Sequence, residues 1–496
     1  MDYSGIKVLI MGLGLHGGGL ESARFLLKRG AEITVTDLRD EKILTPSIEQ
    51  LDEACRKLGQ KPVRYILGRH EIEDFKNNDI VIKNPGVRPD SPFLQAAKQT
   101  ETDISLFLSE SPARLFAVTG TKGKSCTASA LHRILDNAHN SLKTQNGKAF
   151  LGGNITVSPL TFIDELGEDD DVVLELSSFQ LGDLKDKKNK DGGALLKPAA
   201  AVITSIMSDH LDRYVSMAEY VDDKKNIYRG QDSNCVTVAG DDSWGKSFRD
   251  ETNGRPLVYS HRPLAEGQSG GWLDNGCGLA RLSGWDGVSG ETVELVPQRL
   301  LIPGEHQKLN LIAAALAVYG YGNVKRNDIQ RIDTQIIKEA LADFRGIEHR
   351  LEFFHEADGV RFFNDSAATI PEAAAACIEA LSQQAPLVLV TGGTDKNLDF
   401  SPLVKAASKA KAIILLAGSG SEKLMPLLGE AGVSYSGPFD DLDKAVHCVL
   451  ENCTRLKNSG YECVNAALSP GCASFEMFLN EFDRGRKWKE AVLRLS

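Results

Sequence analysis

The sequence predicts an α/β protein of several domains built on mostly parallel sheets. Three observations carry that expectation. Short apolar runs alternate with helical patterns along almost the whole chain, the pattern of layered sheets and helices. Two glycine-rich strand-to-helix turns, near residues 12–17 and 120–124, open two separate α/β units, and a third alternating run begins after Arg345-Gly346. The 496 residues exceed one ordinary domain; at roughly 100–200 residues each, about three are expected. The expected segments are 1–102, 103–346 and 347–496.

Taken in order, Lys7–Leu13, Ile33–Asp37 and Asp79–Lys83 read as buried parallel strands of the first unit. A helix over Gly19–Arg29 lies between the first two. In the second unit, Leu115–Thr119, Val172–Leu176 and Ala200–Thr204 read as strands, and Lys124–Ala138 and Gln307–Tyr319 as helices. The third contains the strands Pro386–Thr391 and Ala412–Ala417 and the helix Pro371–Leu381. The charge run inside 183–197 predicts a solvated loop. Segment 262–293, rich in Gly and Ser, predicts hairpins and loops. In parallel sheets of this kind, sites form outside the carboxyl ends of the strands.

Composition narrows the function classes. Hydrophobic residues make up 42% and charged residues 25%, the range of a soluble globular chain. Fifty-seven basic against 68 acidic residues leave a net charge of −11, which argues against general nucleic-acid binding. The N-terminus lacks a basic segment followed by an apolar core, and no run of 18 apolar residues occurs, so neither a signal peptide nor a membrane span is expected. The nine cysteines are scattered, with no Cys-x-x-Cys pair. That indicates neither a zinc site nor a disulfide framework, and a reducing cytoplasm is the simplest setting.

Gly12-Leu-Gly14-Leu-His-Gly17 follows one strand and precedes a helix, and Asp37 ends the next strand. This is the dinucleotide-binding pattern, in which glycines let backbone amides approach a pyrophosphate. A nicotinamide or flavin dinucleotide, another nucleotide diphosphate, and a ligand-free tight turn all fit it. Val118-Thr-Gly-Thr-Lys-Gly-Lys124-Ser125 is a sharper signal. Its spacing is not the full Walker A pattern, because Val118 stands where the first glycine would. The mechanics carry over: Gly120, Thr121, Lys122 and Gly123 form the cradle. Lys124 neutralises phosphates, and the Ser125 hydroxyl is available to Mg²⁺. Glu175 closes a strand that buries both faces, where an acid needs a partner or a metal. His210 lies just past another strand. Ser125, Glu175 and His210 thus fall on one rim of one sheet. Oxygen ligands suit Mg²⁺, whereas the His210 nitrogen fits equally well beside the ion.

Several motifs together resemble the Mur ligases. They are Gly120–Ser125, Leu174-Glu-Leu-Ser-Ser-Phe-Gln-Leu181, Asp209-His-Leu-Asp-Arg-Tyr214 and Pro303-Gly-Glu-His-Gln-Lys-Leu-Asn310, followed by Glu348-His-Arg350, Asn364-Asp-Ser366 and Leu468–Ser474. The resemblance spans nearly the whole chain. Within the family it is nearest to the member that adds D-glutamate to UDP-N-acetylmuramoyl-L-alanine in cytoplasmic peptidoglycan precursor synthesis. It implies a Rossmann-like nucleotide-sugar domain, a central P-loop-type ATPase domain with a mostly parallel sheet, and a Rossmann-like C-terminal domain. The implied protein is a monomer with no nucleic-acid or membrane partner.

The resemblance also implies roles. Gly14, Leu15, His16, Leu38, Arg39, Asn84 and Gly86 would hold the uridine diphosphate, and Asn154 the sugar-peptide. Asn310, His349, Arg350 and Asp365 would join the phosphate turn around ATP. Thr369, Lys396, Ser474 and the backbone at Phe482 would take the incoming glutamate. Two Mg²⁺ ions are implied, one on Ser125 and Glu175 and one near His210, with Lys224 carbamylated as a further oxygen ligand. A carbamate forms only on a neutral amine, so Lys224 should be a partly buried lysine of depressed pKa. The catalytic set is then Lys124, Glu175, His210 and Lys224. Residues from all three domains imply that closure assembles the site. The chain departs from the family at Ala367, where a lysine usually follows Asn-Asp-Ser, and at Gly471, where alanine is more usual. Two other readings stand beside this one: an L-glutamate-adding ligase, and an NAD-dependent oxidoreductase built on Gly12–Gly17 and Asp37.

Overall fold

The computed structural model describes residues 2–14, 18–141, 147–155, 157–210, 213–285, 288, 290–302, 305–324 and 333–496. Three sheets follow one another along the chain. The first contains β1 (Lys7–Met11), β2 (Glu32–Asp37), β3 (Arg64–Leu67), β4 (Ile80–Lys83) and β5 (Thr100–Glu101), ordered β3-β2-β1-β4-β5 and parallel throughout. The order reverses between β1 and β4, so the turns after these two strands flank the crevice where such sheets take ligands. Those turns begin at Gly12 and Asn84.

The second sheet contains β6 (Arg114–Thr119), β7 (Ala149–Gly153), β8 (Asp171–Glu175), β9 (Ala200–Ile203), β10 (Val236–Gly240), β11 (Arg255–Ser260), β12 (Gly270–Asp274), β13 (Cys277–Arg281) and β14 (Val293–Val296). Its order is β14-β13-β12-β11-β10-β9-β6-β8-β7. From β7 to β12 the neighbours are parallel; the β12–β13 and β13–β14 pairs are antiparallel. The Gly/Ser-rich stretch therefore forms the expected hairpin, turning at Asn275-Gly276. β6 lies between β9 and β8, which brings Gly120, Glu175 and the segment after Ile203 to one edge. β8 and β9 are buried along their full length, which is why they read as unbroken apolar runs. The helix Glu305–Val324 buries every residue from Leu311 to Tyr319, as a helix apolar on all sides must.

The third sheet contains β15 (Glu352–Ala357), β16 (Val360–Asn364), β17 (Leu387–Thr391), β18 (Ala412–Leu416), β19 (Tyr435–Phe439) and β20 (Val464–Leu468), ordered β15-β16-β20-β17-β18-β19. Only β15 runs antiparallel to its neighbour. Two compact units result. Met1–Gln298 with Lys308–Leu341 holds the first two sheets, and Arg299–Gln307 with Ala342–Ser496 holds the third. Among the described residues no helix is long and apolar enough to cross a membrane.

Segment 183–197 departs from a purely solvated loop. Asp183 ends the helix Ser178–Asp183 and is buried in an ion pair with Lys83. Lys187 donates to Glu101 and to the Thr100 carbonyl at 2.7 and 2.8 Å. Its remaining charges face solvent. A charge run shows polarity, but which of its members meets an opposite charge depends on the partner strand.

Candidate active site

The glycine turn expected to take phosphate is shaped by close packing as well as by glycine. β6 ends at Thr119 and the helix Lys124–Ser141 starts five residues later. Gly120 has φ 145° and Gly123 φ 88°, backbone conformations that favour glycine. A Cβ at Gly120 would collide with Thr204, and one at Gly123 with the Asn310 carboxamide. Asn310 is thus brought to the turn. The Thr121 amide donates to the Ser205 carbonyl (2.8 Å), and the Thr121 hydroxyl lies 2.9 Å from the Tyr220 hydroxyl. Lys124 Nζ donates to the Thr121 carbonyl at 3.0 Å, while Lys122 is exposed and bridges to Ser205 through its backbone. Ser125 occupies the second position of the helix, half-buried.

Glu175 ends β8, in register with Val118 on β6. Its side chain is buried, and Asn154 Nδ2 donates to Oε1 at 2.9 Å. Oε2 is buried without a hydrogen-bond partner. Leaving such an oxygen unsatisfied costs about 1–3 kcal/mol, and a divalent cation with oxygen ligands would satisfy it. The residues present therefore fit Mg²⁺. The helix after Glu175 starts where it does because Ser177-Ser-Phe-Gln180 is a capping box: the Ser177 hydroxyl accepts from the Gln180 amide, and the Gln180 side chain accepts from the Ser177 amide.

Lys224 is fully buried near the end of the helix Met217–Lys225. Its Nζ donates to the Gly120 carbonyl at 2.8 Å and lies 4.5 Å from the Tyr220 ring centroid. Burial, with Lys124's charge adding to it, pulls its pKa down to about 7, against the opposing pull of Asp209, Asp223 and Glu175. The next lysine behaves differently: Lys225 points outward to Glu251 at 2.7 Å. His210 has φ 54° and is exposed, its ring 4.9 Å from that of Phe179.

Lys124, Lys224, His210, Gly120 and Asn154 line one cavity of ≈ 430 Å³, together with Asn84, Pro85, Gly86, Ser177, Ser178, Phe179, Asp209 and Tyr220. Two lysine residues, and Asn154 with Glu175 bonded behind it, thus meet at a space that the turn after β4 also enters. In that turn, Asn84 Oδ1 accepts from the Gly86 amide at 2.9 Å. Gly14, Leu38 and Arg39 are absent from this lining and stand at the ends of β1 and β2. The Gly14 and Arg39 amides donate to the Asp37 carboxylate at 3.3 and 2.9 Å, and Leu38 is exposed. Leu15, His16 and Gly17 lie outside the described residues.

In the second unit, the carboxyl ends of β16, β20 and β17 carry the remaining expected residues. Asp365 is buried; it accepts from the Ser469 hydroxyl (2.6 Å) and the Leu351 amide (3.0 Å), and burial pushes its pKa up to about 7. His349 has φ 65°, and its pKa is lowered by burial. Its Nδ1 accepts from the Asn364 carboxamide at 2.9 Å, and its ring lies 5.5 Å from that of Phe482. Arg350 is exposed and Thr369 half-buried. Thr394 and Ala473 exchange two 3.0 Å backbone hydrogen bonds, which join the loop of Lys396 to that of Ser474. Ser474 is buried with its hydroxyl unpartnered, and the exposed Lys396 ammonium lies 5.3 Å from the Phe475 ring centroid. The Ala367 amide donates to the His349 carbonyl at 2.9 Å.

Sequence reasoning passed over three groups at these sites. Tyr220 meets both Thr121 and Lys224 from a helix with no motif of its own. Arg213, inside the Asp209–Tyr214 motif, donates to the carbonyls of Pro85, Gly86 and Val87. Arg484, fully buried, donates to the Ser366 hydroxyl and to the carbonyls of Ser366, Cys472 and Ala473. The one available signal was the position of Arg484 just after Phe482, since an arginine inside a helix is otherwise read as a surface residue.

Comparison with known proteins gives one consistent result. Residues 6–105 match the Mur ligase MurD-like N-terminal domain, 118–318 the Mur ligase middle domain and 349–455 the Mur ligase glutamate ligase domain. The UDP-N-acetylmuramoylalanine–D-glutamate ligase of Treponema pallidum is 39% identical, covering 98% of this chain and 97% of that protein. The enzyme of the same name from Borreliella afzelii is 36% identical, at 99% and 98% coverage. Among solved structures, the UDP-N-acetylmuramate-alanine ligase MurC of Thermotoga maritima superposes with a TM-score of 0.52 at 19% identity, covering 99% of this chain and all of that one. MurF of Acinetobacter baumannii gives 0.53 at 13% identity, with 99% and 92% covered. These two show the shared fold. Nothing among these relatives supports hydride transfer.

Proposed function

This chain belongs to the Mur ligase family, and from that premise we propose that it joins D-glutamate to UDP-N-acetylmuramoyl-L-alanine, consuming ATP, in peptidoglycan synthesis. It is an ATP-dependent, amide-forming ligase. The observation that carries the reading is the cavity where Lys124, Lys224 and His210 meet the turn Asn84–Gly86, with the unsatisfied Glu175 oxygen beside it. Full-length similarity to D-glutamate ligases supplies the substrate pair.

Amide formation from a free carboxylate is uphill, so the L-alanyl carboxylate must first take the γ-phosphate of ATP. That step brings two anions together. Lys124 and the Gly120–Gly123 turn, apart from the Thr121 amide already bonded to Ser205, would hold phosphate oxygens, and Asn310 lies against that turn. Glu175, oriented by Asn154, and the Ser125 hydroxyl would hold Mg²⁺. When bound, Mg²⁺ would screen the repulsion between the carboxylate and the triphosphate. A second ion near His210, with a carbamate on Lys224, completes our reading. It is supported by a buried, depressed-pKa amine directed at the Gly120 carbonyl. In the second unit we assign Lys396, Thr369, Ser474 and the Phe482 backbone to the glutamate carboxylates, and His349, Arg350 and Asp365 to the nucleotide. Gly14, Leu15, His16, Leu38, Arg39, Asn84 and Gly86 are assigned to the uridine diphosphate. We place domain boundaries near 102 and 346, between the sheets, and the reaction in the cytoplasm, in keeping with nine free thiols.

The test is phosphate release with ATP, Mg²⁺ and UDP-N-acetylmuramoyl-L-alanine, with D- and L-glutamate in parallel. Release with D-glutamate alone is expected; release with L-glutamate alone would overturn the amino-acid assignment. Glu175→Gln should lower phosphate release by about 10²-fold through weakened cation binding. It should also raise the Mg²⁺ concentration needed for half-maximal rate, with an unchanged circular dichroism spectrum. An unchanged Mg²⁺ requirement would remove Glu175 from the metal site.

A further inference from the structure

The turn that carries Asn84 and Gly86 is held in place by charge. Lys83, the last residue of β4, is buried and donates to both oxygens of Asp183 at 2.6 Å. Asp183 ends the helix Ser178–Asp183, which starts beside Glu175. Arg213 spreads its guanidinium over three carbonyls of the same turn: Pro85 (3.1 Å), Gly86 (3.0 Å) and Val87 (3.3 Å). The guanidinium also lies 3.8 Å from the Phe179 ring centroid, and Phe179 in turn meets His210. Two anchors thus join the end of the first sheet to the helix after Glu175 and to the loop that follows His210.

The chemistry of the pair argues against a role in stability alone. The Lys83 and Asp183 side chains are 4% and 8% exposed. Burial draws the Lys83 pKa below its usual value and pushes that of Asp183 above, despite their pairing. Two ions taken this far out of water recover little net stability, and apolar replacements of similar size often do as well. What such a pair supplies is register. We propose that Lys83, Asp183 and Arg213 are positioning residues that hold the turn Asn84–Gly86 in register with the phosphate turn, so that nucleotide-sugar binding depends on them. This rests on the reading that Asn84 and Gly86 contact the UDP-sugar substrate.

The double variant Lys83→Met/Asp183→Leu removes both charges without leaving one unpaired. Its thermal midpoint should equal or exceed that of the wild type. The KM for UDP-N-acetylmuramoyl-L-alanine should rise about tenfold, as expected for a misplaced binding loop, with kcat and the KM for ATP within about twofold of the wild type. Backbone amides of Gly86 and Val87, bonded to Asn84, should exchange with deuterium at least about tenfold faster. Unchanged KM and unchanged exchange would overturn the proposal. A wild-type enzyme that fails to turn over the sugar nucleotide would instead sink the functional reading, and the exchange rates alone would then decide whether the clamp holds the turn. Should the double variant not fold, Arg213→Lys keeps the charge, loses the planar fork, and is read by the same two measurements.

Discussion

Lys124→Met is expected to lower ATP-dependent phosphate release by about 10³-fold, the upper range for removing one preorganised charge from a transition state. Its amine sits on the Thr121 carbonyl within the turn, half-buried and directed at the cavity. On the proposed reading the γ-phosphoryl group would meet an incoming carboxylate there, and no neutral side chain would offset that repulsion. The substitution should have a second effect. Lys124 is one of the two causes that depress the Lys224 pKa, so its removal should return part of the Lys224 population to the protonated form and reduce carbamate occupancy. The measurements are steady-state phosphate release and the ¹³C carbonyl signal after incubation with labelled bicarbonate. A rate within tenfold of the wild type would show that another group carries the phosphate charge.

Lys224→Met should cost about 10²-fold or more in the same assay, because a carbamate supplies oxygen ligands that a thioether cannot replace. Wild-type activity should fall in CO₂-free buffer and return with bicarbonate, whereas the variant should respond to neither. Activity of the variant equal to the wild type would eliminate the carbamate. Stability offers an independent readout. Burial draws the Lys224 pKa down to about 7 in the folded chain, against 10.5 for a solvent-exposed lysine amine. Between those values the unfolded chain holds a proton that the folded chain lacks, so stability rises with pH across that window. The penalty from Lys224 is fully present below about pH 7 and is relieved as pH approaches 10.5. In CO₂-free urea titrations, wild type should therefore gain about 2 kcal/mol relative to Lys224→Met between pH 7 and pH 9. A constant difference between the two proteins across that range would show that the amine is not desolvated.

How far the site was legible depended on whether its signal is local. The phosphate turn is a strand, a glycine turn and a helix within some twenty residues, so Gly120–Ser125 could be placed directly. Glu175 stood out because a lone acid ended a run of apolar residues. The β12–β13 hairpin followed from turn residues between short strands. The Lys225 ammonium could be separated from that of Lys224 only through the resemblance, because adjacent residues on a helix point some 100° apart and nothing in Lys224-Lys225 says which direction is inward. The contacts of Asn154 with Glu175, Tyr220 with Thr121, and Lys83 with Asp183 join residues 21, 99 and 100 positions apart. No periodicity connects such pairs.

By itself the sequence determined the α/β class, the strands that are buried on both faces, the glycine turn between Thr119 and Lys124, and the family to which its motifs belong. Each of these is written in short-range pattern, where backbone geometry and burial act on neighbouring residues. Tertiary structure alone decided that Glu175 has one oxygen bonded to Asn154 and the other unsatisfied, that Lys224 is buried while Lys225 is paired at the surface, and that a buried ion pair ties the Asn84 turn to the helix beside Glu175. Hydrogen-bond satisfaction and desolvation are properties of the space around a group, and that space is filled by residues far away in the chain.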